Sequence, residues 1–498
     1  MSNKEQKSIF PIKIDKLKHL IKKRFAKSSE DLLFTTYKIL DDCVAVFYIP
    51  YLLDTDKMED HIFEPLINTQ EKWTNEKLLN EIPIGESTLT NSLQDINNKL
   101  ILGHAFVYIE NEDMIVSFHL PHTEKRSVEK AEIESVILGP QVSFTESLDT
   151  NMNILRQSIL TSDLVFEKVL VGKRVQSEIR IVYLKSLANS DDVQEMRKRL
   201  QQLDIDEVED ISVLKQFIED SSTNLFPQFY STELPDRLSY IIKKGKIGVL
   251  MDDSPTAIIA PSTLFSFLES PEDLYMRWNV GSVLRILRMI AMLISISITP
   301  IYVAIVTFQY ELIPMELLIS IGQSRAAVPF PPIIEALIIE FLVELLREAS
   351  VRLPTKVGQT IGIVGGIIIG ESAVQAGLTS NILIIVVAMS ALASYTTPNY
   401  LMASSLRIIR FPMILLASIY GIIGIMFGFC FLIIHLLKLT TLNRPYLSPL
   451  YPLNLADFNK VFFHLPKQWQ SKRAKMLMPK EIRRYSKKEA QKKRDIDE

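Results

Sequence analysis

The stretch VPFPPIIEALIIEFLVELLREASVRLP, Val328 to Pro354, decides how the chain is read. It opens on three prolines and runs on as an apolar helix carrying Glu335, Glu340, Glu344, Arg347 and Glu348. Carboxylates in a helix among apolar segments require a polar partner, water or a place at the membrane edge. Glu340, Glu344 and Glu348 recur every four residues and share one face, whereas Glu335 points about 140° away from Glu340. Two readings stand side by side. The helix lies at a membrane interface with its stripe in water and Glu344 and Arg347 as a local pair. Otherwise the stripe faces an aqueous path inside an assembly, where repeated carboxylates attract cations. Glu335, Glu340, Glu344 and Glu348 are therefore the candidate cation path, and Glu335, apart from the stripe, is the most unusual single residue.

Outward from this stretch the composition changes sharply. The 498 residues are 47% hydrophobic with a mean hydropathy of +0.16, an average over two unlike halves. Up to about Trp278 the sequence is mixed and charged; from Leu284 to Leu437 it is mostly apolar. The expected fold is an α+β cytoplasmic region of two small α/β subdomains followed by a multi-pass α-helical membrane domain. Residues 1–30 form a basic lead-in, 31–130 the first subdomain and 131–280 the second. Cys43 to Leu53 reads as a buried strand and Ala105 to Leu120 as a hairpin turning at Asn111 to Asp113. Val175 to Leu187 reads as a further strand, Asp191 to Leu203 as a helix, and Ile247 to Ala260 as a second hairpin around Asp252 to Pro255.

The membrane domain covers 284–437, with spans expected at about 289–308, 357–375, 382–396 and 412–437 and a charged membrane or interfacial helix at 331–349. Arg277, Arg285 and Arg288 put the start of the first span inside. Four crossings return the tail, 438–498, to the cytoplasm. That tail carries twelve basic residues from Lys467 to Arg494, against Glu481 and Glu489. Beside membrane spans, basic ends signify cytoplasmic retention and not nucleic-acid binding. The same count leaves Arg407 and Arg410 on the outer side, where the charge rule disfavours them. Gly358, Gly362, Gly366 and Gly370 are spaced by four and form a ridge along which another helix backbone can pack.

Enzymatic signals are absent. No phosphate loop, dinucleotide fingerprint or nucleophile elbow is present. His119 and His122 lack the cysteines or helical spacing of a metal site, and Cys43 and Cys430 lie in different halves. The expectation is a non-enzyme with no cofactor, no metal and no catalytic residues.

Several long motifs resemble one family. PFPPIIEALIIEFLVELLREASVRLP, GQTIGIVGGIIIGESAVQAG, Pro398-Asn399-Tyr400 and RPYLSPLYP (Arg444 to Pro452) are similar to the A subunit of the GerA-type spore germinant receptors. LGPQVSFTESLDTNMNILR (Leu138 to Arg156) resembles a segment of that family's cytoplasmic domain, and the likeness covers Asp31 to Pro466. Ser350 stands where the family motif has glycine, and Thr440 to Asn443 replaces a serine-glycine turn. The resemblance implies a multi-pass protein of the spore inner membrane with both termini cytoplasmic. It implies a transporter-like, nutrient-binding B subunit and a lipoprotein C subunit as partners. It further implies self-association into a homo-oligomer in the bilayer that conducts monovalent cations when nutrient binds. An ion-coupled secondary transporter, and a membrane-anchored signalling or scaffold subunit without a pore, are the alternatives.

Overall fold

The computed structural model describes residues 10–24, 31–40, 42–69, 71–121, 134, 138–352, 366, 370–463, 465–466 and 469–485. Two compact units result. The first comprises residues 1–222, 229–261 and 470–498; the second comprises 223–228 and 262–469.

The first unit holds two five-stranded sheets. β1 (Leu33–Ile39), β2 (Asp42–Tyr48), β3 (Ser87–Thr90), β4 (His104–Ile109) and β5 (Ile115–His119) pair in the order β1-β2-β4-β5-β3. β6 (Leu164–Val171), β7 (Ser177–Leu184), β8 (Tyr230–Thr232), β9 (Ile247–Met251) and β10 (Ala257–Ala260) pair as β6-β7-β9-β10-β8. The second order is the first with every index raised by five, and every pairing in both sheets is antiparallel. The two subdomains therefore repeat one topology.

Their elements follow from the sequence pattern. The hairpin β4–β5 turns through Asn111 and β9–β10 through Asp253, both with positive φ, which Asn and Asp tolerate better than other side chains. Phe34, Phe47 and Phe106 are cross-strand partners in register, their rings stacked at 5.2 Å along one face. Val44, Val46, Val107 and Val116 bury the other face against Met58, Ile62 and Trp73.

Helix α1 (Leu148–Ser158) ties the subdomains together. Ser147 caps it by accepting from Thr150 N, and Leu148 N donates to Asp252 Oδ1 at 3.1 Å. Arg156, near its end, is fully buried. It pairs with Asp31, donates to Tyr51 Oη at 3.2 Å and caps the Thr161 and Leu164 carbonyls. Burial pushes the Tyr51 hydroxyl far above its ordinary pKa, so it stays a neutral donor to Asp31.

The two units divide the chain at these limits. The second subdomain closes at 261 and not 280, because 262–277 packs with the helices. The tail expected as one piece from 438 is divided. Residues 439–469 stay with the helices, while Lys480 N donates to Leu187 O and Arg473 Nε to Lys243 O in the first unit.

The second unit is helical: α2 (Trp278–Thr307), α3 (Met315–Arg325), α4 (Pro332–Arg352), α5 (Asn381–Tyr395) and α6 (Tyr400–Lys438). By length and apolar composition α2 and α6 are long enough to cross a bilayer, and α5 is a shorter apolar helix. Most of the span expected at 357–375, with Gly358 and Gly362, lies outside the described residues.

The base of α2 is fixed by charge. Arg288 pairs with Asp273 and donates to Leu268 O at 2.5 Å, while Arg285 donates to Val461 O at 3.0 Å.

The span expected over 412–437 is not one rod. Gly421 has φ 60° and ψ −141°, and the chain reverses there. A Cβ on Gly424 would collide with Leu416 O, and one on Gly428 with Met413 Sδ. Eight and fifteen residues along a straight helix would be about 12 and 22 Å apart. The two arms are thus antiparallel, about 31 and 25 Å long, and both ends meet the strap 223–228. Ser405 Oγ donates to Leu225 O at 2.6 Å, and His435 Nε2 lies 2.8 Å from Asn224 Oδ1. Only glycine allows this approach, and Gly424-x-x-x-Gly428 is the packing pair that the sequence reading passed over.

One titration in the first unit is open to measurement. His104 stacks on its cross-strand partner His119 with ring centroids 4.5 Å apart. Burial, then the His119 charge, lowers the His104 pKa from 6.5 to about 4. The unfolded chain therefore takes the proton first, and the stability held above pH 6.5 is lost as pH falls through 4. In urea unfolding read at Trp73, with Trp278 and Trp469 replaced by Phe, His104→Gln should flatten the decline between pH 6.5 and 4. Parallel slopes for the two proteins would refute this.

Candidate functional site

The four carboxylates of α4 descend through the helical unit in layers, and each meets an arginine. Prolines at 329, 331 and 332 set the helix entry, where a missing N–H costs nothing. Glu335 is fully buried in the first turn. Its Oε1 accepts from Ser380 N at 2.6 Å and Thr379 Oγ1 at 3.2 Å, and Arg325 Nε of α3 lies 3.4 Å from Oε2. Ser380 also caps α5 and lies 3.3 Å from Tyr302 Oη of α2.

One and a half turns on, Glu340 is 3% exposed. Its Oε1 accepts from Thr299 Oγ1 of α2 at 2.8 Å, and its Oε2 accepts from Arg410 Nη1 of α6 at 2.5 Å. Arg410 donates onward to Ser295 O at 2.8 Å, Ser295 Oγ at 3.1 Å and Ser390 O of α5 at 3.5 Å. One ion pair thus joins α2, α4, α5 and α6. Around it pack Tyr302, Val303, Ala336, Ile339, Leu383, Val387 and Ile414.

Glu344 is the next layer, half-open, accepting from Arg407 Nε at 3.1 Å. Arg407 also donates to Ser404 Oγ at 2.7 Å. Glu348, exposed, pairs with Arg352 one turn along the same helix at 2.5 Å. The stripe expected on one face runs from closed to open, and Glu335 has its own separate set of partners.

The local pair considered for Glu344 and Arg347 is replaced by Glu344 with Arg407. Arg347 instead lies over the rings of Tyr395 and Tyr400, at 4.8 and 5.8 Å. Arg407 and Arg410 were the residues the sequence missed, placed only as a breach of the charge rule. Their signal was legible: two arginines three apart in an apolar helix need acidic partners, and Glu340 and Glu344 have matching helical spacing. Of the glycine ridge, Gly366 faces Leu346 at van der Waals distance and Gly370 faces open space. No cluster of three or more metal-ligating side chains occurs among the described residues.

The chain matches the family model described as Bacillus/Clostridium GerA spore germination protein over residues 19–476. It is 40% identical over 443 residues to spore germination protein GerQA of Bacillus cereus, covering 88% of each chain. It is 38% identical over 479 residues to spore germination protein GerIA of the same organism, covering 95% of this chain and 71% of that one. A crystal structure of the N-terminal domain of the A subunit of the Bacillus megaterium spore germinant receptor GerK3 aligns at 25% identity. That alignment has a TM-score of 0.39 and covers 49% of this chain and 93% of that one. The family model and the two Bacillus cereus relatives define the class. The chain belongs to the GerA family of spore germination proteins.

The buried pair is open to a mutant cycle. Arg410→Ala leaves the Glu340 carboxylate buried without its cation and should cost about 3–5 kcal/mol. Glu340→Gln combined with Arg410→Met should recover most of that loss in thermal unfolding of the detergent-solubilised chain. A double variant no more stable than Arg410→Ala would show that the two are not coupled.

Proposed function

We propose that this chain is the A subunit of a nutrient germinant receptor in the spore inner membrane, and that copies of it assemble into a nutrient-gated cation channel. A transporter-like B subunit binds the nutrient, a lipoprotein C subunit completes the receptor, and opening releases monovalent cations. The helices cross the membrane several times and both termini are cytoplasmic. The return of both ends of α6 to the strap 223–228 is in keeping with that arrangement.

The observation that carries the reading is the column of carboxylates inside an apolar helical unit, each held by an arginine. A covalently tethered guanidinium occupies the place a cation would take. On this reading the arginine-held column is the closed state of the path. Arg407 and Arg410 lie on the same arm of α6, so one displacement of that arm frees Glu344 and Glu340 together. Glu335, buried farthest from the open end, anchors α4 against α5.

Glu344 and Glu348, the accessible members of the column, supply the test. Glu344→Gln with Glu348→Gln should slow germinant-triggered potassium release several-fold at unchanged receptor abundance. Unchanged release at normal abundance removes the stripe from the mechanism. A purified chain that carries solute along an ion gradient without its partners would instead support the transporter reading.

A further inference from the structure

The column has four carboxylates and five arginines. Glu335, Glu340, Glu344 and Glu348 pair with Arg325, Arg410, Arg407 and Arg352. Arg347 is left over. It makes no ion pair among the described residues, and its Nη1 is buried with no hydrogen-bond partner. Arg407, whose charge bears on Arg347, likewise has a buried, unpartnered Nη1. Guanidinium groups remain charged in proteins. A buried donor without an acceptor is costly, so the two guanidinium groups favour an acceptor that could serve both.

We propose that Arg347 and Arg407 bind a phosphate-class anion, the headgroup of an anionic phospholipid. Guanidinium forks match phosphate oxygens in geometry and charge. Tyr395 closes α5 and Tyr400 opens α6, so the pair lies where apolar helices end. Those two tyrosines are 56% and 45% exposed. Their rings hold the Arg347 guanidinium in place, and tyrosine is favoured at headgroup level. A lipid phosphate there offsets the surplus charge and accepts from both arginines. Phe341 and Leu345, exposed on the same helix, offer apolar surface for acyl chains. The inference rests on the membrane reading above.

The test uses the full chain in mild detergent, with lipid retention read by native mass spectrometry. Wild type should retain phosphatidylglycerol over phosphatidylcholine, Arg347→Gln should lose at least half of it, and Arg347→Lys should keep part. Arg352→Gln, a change to the neighbouring paired arginine, should leave retention as in wild type. A second arm titrates inorganic phosphate into delipidated protein and follows thermal stability. Stabilisation by phosphate without retention of phosphatidylglycerol assigns the site to a free anion and overturns the lipid. Equal retention by wild type and Arg347→Gln also overturns it. If Arg347→Gln instead keeps its lipid and loses oligomers, the anion is a carboxylate of a second copy. Flotation of wild type with phosphatidylglycerol vesicles is scored separately, so failure of the site and failure of the membrane reading are distinguishable.

Discussion

The helical unit depends on one buried ion pair, Glu340 with Arg410. In an apolar setting neither charge is tolerable alone. Together they are acceptable because the remaining polar valences are met: Thr299 serves the second carboxylate oxygen, and Ser295 and Ser390 serve the guanidinium. The result fixes register. Ridge packing alone would let apolar helices slide by a turn at small cost. A charge pair with four named acceptors and donors admits a single alignment of α2, α4, α5 and α6. Stability is therefore the lesser contribution of this pair and specificity the greater, in line with other buried ion pairs.

Much of the sheet-bearing unit was legible because alternation and turn residues are local signals. The β4–β5 and β9–β10 hairpins could be located from period and from the turns at Asn111 and Asp253. Strand order was not legible. β3 pairs with β5 and β8 with β10 across long separations that no local pattern encodes. For the same reason the repeat of one topology in both subdomains emerges only in three dimensions, since nothing in the residues quoted from each subdomain marks them as copies. Residues 262–277, read as part of the second subdomain, and 439–469, read as part of the tail, group with the helices, where Asp273 and Tyr446 are buried as anchors.

In the helical half, hydropathy revealed apolar length and concealed direction. A window over 412–437 scores as a span whether or not the chain turns within it. Gly421, Gly424 and Gly428 contain the turn, but glycine in an apolar helix equally marks a packing ridge. The carboxylates were found at once, being rare in such company. Their arginines registered only as a breach of the charge rule, because orientation was argued by counting crossings and not by asking which acid each cation could meet.

On the channel reading proposed above, the same pairing would constrain how a cation uses the column. Glu335 and Glu340 are closed over and Glu348 is open, so ions from solution meet Glu348 and Glu344 first. Beyond Glu344, an entering ion must compete with a guanidinium held at contact distance by its own helix, with no translational entropy left to lose. A monovalent cation, which makes no forked hydrogen bonds, is the weaker ligand in that contest. On that reading, cation concentration alone does not open the column; the arm of α6 would have to move, with the energy supplied by differential contacts made by whatever binds the moved state more tightly.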